Sequence, residues 1–280
     1  MNEQRMPTLE ARGVTLAYER NVIFENLDLR IEEGEVTTLI GANGCGKSTL
    51  LKAFGRLLSA ASGDVLFEGR SVRETPTREV AKRLAILPQK PVTPSATSVR
   101  DLVARGRHPH QSLWQAWTAK DSAIVDAALT ATGLDHLADR DAGSLSGGQL
   151  QRAWIALVLA QEAPTILLDE PTTFLDLTHQ IDVLRLVAQI NRDRGATVVM
   201  VLHDLTLAAR YSHRLVAIKD GMVVADGTPW EVLTPGILRE AFDLEALVIS
   251  DPHTGSPLVV PLDPTFAHTA QLEPHHDVEF

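Results

Sequence analysis

Nine residues, "GANGCGKST" from Gly41 to Thr49, restrict the folds open to this chain more than any other stretch. They match G-x-x-x-x-G-K-[ST], follow the apolar run "EVTTLIG", and precede a helical pattern. That strand–loop–helix context separates a phosphate cradle from an ordinary glycine turn. Backbone N–H groups of Gly41, Ala42, Asn43, Gly44, Cys45 and Gly46 converge on phosphate oxygens where no bulky side chain intervenes. Lys47 reaches the β- and γ-phosphates, the Ser48 hydroxyl can ligate Mg²⁺, and Thr49 lies in the first helical turn behind them. Cys45 reads as a small residue filling the loop. It is the only cysteine, so no intramolecular disulfide staples the fold.

A phosphate loop of this type belongs on a parallel sheet, and the rest of the chain supplies one. "TILLDE" and "TVVMVLHD" are short, continuously apolar runs ending in acids or histidine, as strands buried on both faces do. An amphipathic helix carrying Ile181, Leu184, Val187 and Ala188 separates them. Before the loop, Val14, Leu16 and Tyr18, then Leu27, Leu29 and Ile31, alternate as antiparallel strands. "SGDVLFEG" and "AIKDGMVVADG" predict hairpins, and "ALVISDPHTGSPLVV" predicts a final strand pair. From about Thr77 to Gln161 the periodicity is mostly helical. Ile124, Ala127, Ala128 and Ala131 mark one face there, with Gly133 capping its end. Residues 263–280 hold acids, no Lys or Arg, and the pair His275-His276, which predicts a disordered tail.

Chemistry is expected at the strand ends. Asp169 is placed to hold Mg²⁺, and Glu170, one residue on, to act as general base on an attacking water. His203 follows the last apolar strand, where it can sense the γ-phosphate. Gln89 in "ILPQK" can touch the metal or the water, and Tyr18 can stack on a nucleotide base. Beyond these, "LSGGQ" forms a second phosphate cradle, with Ser146, Gly147, Gly148 and Gln149 at a helix start. One nucleotide is already enclosed by Gly41 to Thr49, so this corner is expected to serve the ATP of a second subunit in a head-to-tail pair.

Together, in this order, Tyr18, the phosphate loop, Gln89, "LSGGQ", "LLDEP", "TFLD" and His203 resemble the ATP-binding cassette family over about Leu9 to Gly227. The resemblance implies an α/β fold: a phosphate-loop NTPase core with an N-terminal antiparallel β subdomain and an inserted helical subdomain at about 90–161. The whole cassette would span 8–262. It implies ATP and Mg²⁺ as cofactors, Asp176 of "TFLD" at the dimer seam, and membrane permease subunits docking on the helical lobe. "LVARGRHPHQSLW", "EPTTFLDLTHQID" and the stretch around "LSGGQ" are similar to ATPase subunits of ferric-siderophore importers, especially the ferric-enterobactin type. Thr173-Phe174 replaces the commoner Ser-Ala, as is typical of that branch. A siderophore-binding protein is then an indirect partner, and the chain would lie peripherally on the cytoplasmic face of the membrane. Haem and cobalamin importers share much of the pattern and form the alternative cargo.

The bulk chemistry agrees. Net charge is −10, from 36 acids against 26 Lys+Arg, which argues against nucleic acid as a partner and against a soluble cassette acting on it. "MNEQRMPTLE" is polar rather than leader-like, and no apolar run approaches the roughly 18 residues of a membrane span. The expectation is a soluble chain that reaches a membrane only through partners.

Overall fold

The computed structural model describes residues 7–111, 117–173 and 175–262. Expectations for Phe174, for part of "LVARGRHPHQSLW" and for the tail 263–280 fall outside them. The N-terminal alternation produces β1 (Leu9–Tyr18) and β2 (Asn21–Ile31), antiparallel, with Val14 opposite Leu27. β3 (Val36–Gly41) is buried at every position and runs through the glycine loop into α1 (Lys47–Phe54). β4 (Ser62–Phe67) and β5 (Arg70–Ser71) make the expected hairpin, and β4 pairs with β1 to complete an antiparallel sheet.

The stretch read as mostly helical contains one strand. After α2 (Thr77–Arg83), the chain forms β6 (Leu84–Leu87), which pairs in parallel with a strand some eighty residues later. Four residues cannot establish a period of two, so only that distant pairing defines them as strand. α3 (Val99–Ala104), α4 (Ala119–Ala131) and α5 (Gly147–Ala160) pack on one another. The buried side of α4 is Asp121, Val125, Ala128 and Leu129, so the expected alanine face is corrected: Ala127 and Ala131 face solvent. Alanine's small apolar area does not decide which way a helix turns, whereas Val125 and Leu129 bury far more. Gly133, at φ 64°, does follow the helix end. Arg107 joins this lobe from inside. It is 4% exposed and donates to Asp121 Oδ1 at 3.0 Å, Ala160 O at 2.8 Å and Glu162 Oε2 at 2.9 Å.

β7 (Thr165–Asp169), α6 (Leu177–Arg194), β8 (Thr197–Val201), α7 (Leu205–Tyr211), β9 (Arg214–Lys219) and β10 (Met222–Gly227) follow. The larger sheet has the order β10-β9-β3-β8-β7-β6, parallel except for β10 at its edge. Its apolar runs are continuous because two cores claim alternate residues. Leu39, Leu167, Val199 and Val216 pack toward α1 and the antiparallel sheet; Ile40, Leu168, Val198 and Leu215 pack toward α5, α6 and α7. α8 (Pro229–Val232) and α9 (Pro235–Phe242) lead to the predicted strand pair, β11 (Ala246–Ser250) and β12 (Pro257–Pro261). Asp251 holds the turn between them. Its Oδ1 accepts from His253 N at 2.8 Å and Thr254 N at 3.1 Å, and Oδ2 pairs with Arg210 on α7. No helix of the described residues is long and apolar enough to cross a membrane.

Candidate functional site

Four neighbouring strands, β3, β8, β7 and β6, end at one edge of the sheet, and each delivers its next residues to the same place. β3 gives the glycine loop, β8 gives His203, β7 gives Asp169 and Glu170, and β6 gives Gln89 two residues past Leu87. This is the carboxyl edge of the parallel strands, where open α/β sheets bind ligands.

The loop closes only with glycine at its ends. A Cβ on Gly41 (φ 151°) would lie 2.2 Å from the Ile218 carbonyl oxygen and 2.7 Å from Cys45 Sγ. One on Gly46 (φ 109°) would lie 2.5 Å from the buried ring of Phe24. Gly46 also starts α1 without any side-chain cap, and the first turn carries no acid. Its N–H groups and positive dipole end are therefore open to an anion. Lys47, 5% exposed, folds over the loop and donates to Gly41 O and Ala42 O, each at 2.8 Å. Cys45 is buried with Sγ 3.7 Å from Lys47 Nζ, filling space beside Gly41 as a small residue should. Thr49 is buried behind the turn, while Ala42, Asn43 and Gly44 form the exposed tip. A cleft of 440 Å³ runs from this tip to Asn21, Val22 and Ile23 at the start of β2. Tyr18, 43% exposed, stands across the strand turn, paired with Asn21.

At the centre, Ser48 Oγ donates to Asp169 Oδ1 at 2.7 Å. Asp169 is 2% exposed, and burial pushes its carboxyl above the usual range, against the pull of the Ser48 hydroxyl and the Gln89 backbone N–H. A hydroxyl, a carboxylate and a nearby glutamine amide are hard oxygen donors, the set that suits Mg²⁺ completed by phosphates and water. Glu170 sits at φ 53°, a left-handed conformation that costs a non-glycine residue on the order of 1 kcal/mol. There its Oε1 meets His203 Nε2 at 2.9 Å and its Oε2 accepts from Thr173 Oγ1 at 2.9 Å. Burial raises the Glu170 carboxyl, but hydrogen bonding with Gln89, His203 and Thr173 outweighs it, and the group lies below its ordinary value. Thr173 went unassigned by sequence reasoning; the only signal was its departure from the commoner serine.

The second glycine corner stands apart. Among the described residues no hydrogen bond joins it to Gly41–Thr49. Ser146 caps α5: its Oγ accepts from Gln149 N at 3.3 Å, and Gln149 Oε1 accepts from Ser146 N at 3.0 Å. Among the described residues the serine hydroxyl proton and the glutamine amide meet no acceptor. Asp176 caps α6 in turn, accepting from His179 N at 2.9 Å, with its side chain 67% exposed.

The chain matches the ABC transporter family model over residues 24–173. It is 50% identical to the probable siderophore transport system ATP-binding protein YusV of Bacillus subtilis, over 91% of this chain and 93% of that protein. It is 47% identical to the ferric enterobactin transport ATP-binding protein FepC of Escherichia coli, over 94% and 97%. Its fold superposes with a TM-score of 0.71 on the dimeric structure of the bacterial ABC transporter cassette MJ0796, at 27% identity, covering 79% of this chain and 98% of that one.

Proposed function

The chain belongs to the ABC transporter family, and we propose that it is the ATP-hydrolysing subunit that energises a ferric-siderophore importer. Its fold is that of the family's phosphate-loop NTPases, and it works as a pair together with membrane permeases. In our reading the cassette spans 8–262, with a helical subdomain at about 90–161 that receives the permease, and the protein lies on the cytoplasmic face of the membrane. A siderophore-binding protein selects the cargo upstream.

One observation carries the paired mechanism. Gly147 and Gly148 are the first two residues of α5, where glycine brings no helix propensity of its own. A Cβ on Gly147 would meet nothing within 4 Å, and one on Gly148 only ordinary contacts at 3.5 Å and beyond. The chain's own packing demands neither glycine, in contrast to Gly41 and Gly46. Bare backbone beside a serine hydroxyl suits a phosphate that arrives from outside the chain.

The roles follow from that. Lys47 and the open N–H groups of α1 hold the β- and γ-phosphates, and Tyr18 stacks on the base. Ser48, Asp169 and Gln89 would hold Mg²⁺, which when bound neutralises charge on the phosphates. Glu170 takes the proton of the attacking water, whose oxygen bonds to the γ-phosphorus as the bridge to ADP breaks. His203 holds Glu170 and reads the γ-phosphate. Ser146, Gly147, Gly148, Gln149 and Asp176 close on the nucleotide of the second subunit. Deleting the gene and scoring growth on single iron chelates tests the cargo: growth lost on a ferric siderophore and restored by the wild-type chain is expected, and unimpaired growth on all of them overturns it.

A further inference from the structure

His179 lies three residues beyond Asp176, and its imidazole Nδ1 is 2.7 Å from the same Asp176 Oδ1 that accepts the His179 backbone N–H. The backbone and imidazole bonds hold that carboxyl below its usual range, so it is an acceptor and Nδ1 is the donor. The ring also faces α5. A Cβ on Gly148 would be 3.8 Å from His179 Cγ and 3.9 Å from Cδ2, beside Leu175 Cδ2 at 3.5 Å. Two further bonds fix the turn between β7 and α6: Gln151 Nε2 on α5 donates to Pro171 O, and Gln180 Nε2 donates to Leu175 O, each at 2.9 Å.

We propose that His179 is a positioning residue that locks the Asp176 turn and the Ser146–Gly148 corner of one subunit into a single ledge, which docks as a unit on the second subunit's nucleotide. The proposal rests on the paired-site reading above. A capping aspartate this exposed would otherwise be held on this side only by the backbone N–H groups it caps, and tightening it at the moment of association would weaken pairing. The imidazole adds a second hold on the same oxygen beforehand and sets the aspartate against the corner it must accompany. Leu177, also exposed, begins α6 beside it and extends the same ledge with an apolar side chain.

The test uses the full chain carrying Glu170→Gln, so that ATP persists, and follows ATP-driven dimerisation by light scattering. His179→Ala should weaken dimerisation by roughly three- to tenfold, the worth of one or two side chains ordered on association. Its melting temperature and the ATP affinity of the dilute monomer should not change. His179→Asn, whose amide N–H can replace Nδ1, should recover most of the loss, a rescue that a bulk-packing role would not give. Dimerisation of His179→Ala equal to the parent's overturns the proposal, as does an asparagine variant no better than alanine. Failure of the Glu170→Gln parent itself to pair with ATP would instead overturn the paired-site reading.

Discussion

His203 Nε2 stands 2.9 Å from Glu170 Oε1, bridging the ends of β8 and β7. The contact orients a carboxylate already turned by its left-handed backbone and held from the other side by Thr173. An ionised, oriented base at the end of a strand is what a water-activating site requires, and the consequences can be measured.

Replacing Glu170 with Gln keeps the shape and one accepting oxygen, turns the other edge into a donor, and removes the proton acceptor. Steady-state ATP hydrolysis should fall by about 10²–10⁴-fold, the usual worth of a general base, while nucleotide affinity stays near the parent's. A variant turning over at the parent rate would exclude Glu170 from that role.

The glycines should separate by what surrounds them. Gly46→Ala places a methyl 2.5 Å from the Phe24 ring at a φ of 109°, so both melting temperature and ATP binding should drop. Gly148→Ala meets only ordinary contacts and should leave the monomer's stability unchanged or slightly raised. It should nevertheless abolish most hydrolysis by crowding the partner's phosphate. Melting curves and ATPase assays on the two variants decide the matter.

Arg107→Ala removes the donor shared by Asp121, Ala160 O and Glu162 inside the helical lobe. A buried aspartate left without its cation is costly, so denaturant unfolding should show a loss of about 3 kcal/mol. Glu162→Ala, whose side chain is 41% exposed, should cost well under half of that.

Asp251 accepts two backbone N–H bonds and faces Arg210, which lowers its carboxyl from 3.8 to about 2. A carboxyl depressed in the folded state stabilises fully above its unfolded value. That contribution is therefore present above pH 3.8 and is lost as pH falls through about 2. Asp251→Asn should lower stability at neutral pH and flatten its dependence across that acid window, as thermal melts at stepped pH would report.

Much of this architecture could be read from the chain, and the failures share a cause. The loop at Gly41 to Thr49 and the strands at Thr165 and Thr197 announce themselves because local pattern and function coincide there. β6 was missed because four residues become a strand only by pairing with β7. The α4 face was half right, with Ala128 buried and Ile124 partly so but Ala127 and Ala131 in solvent, because alanine carries little burial information. At the site, the candidates at four strand ends were nameable, but Thr173 beneath Glu170 and His179 beside Gly148 were not. Each depends on a contact made after the chain has turned, and no spacing encodes it.

The separation of the two glycine corners within one polypeptide has a genetic consequence. Consider a mixture of subunits, some with only the base disabled by Glu170→Gln and others with only the serine–glycine corner blocked by Gly148→Ala. Each population alone retains only a small residue of turnover. In a mixed couple both lesions fall into one pocket, and the opposite pocket is assembled entirely from undamaged halves. Two nearly inactive preparations, combined, should regain part of the lost turnover.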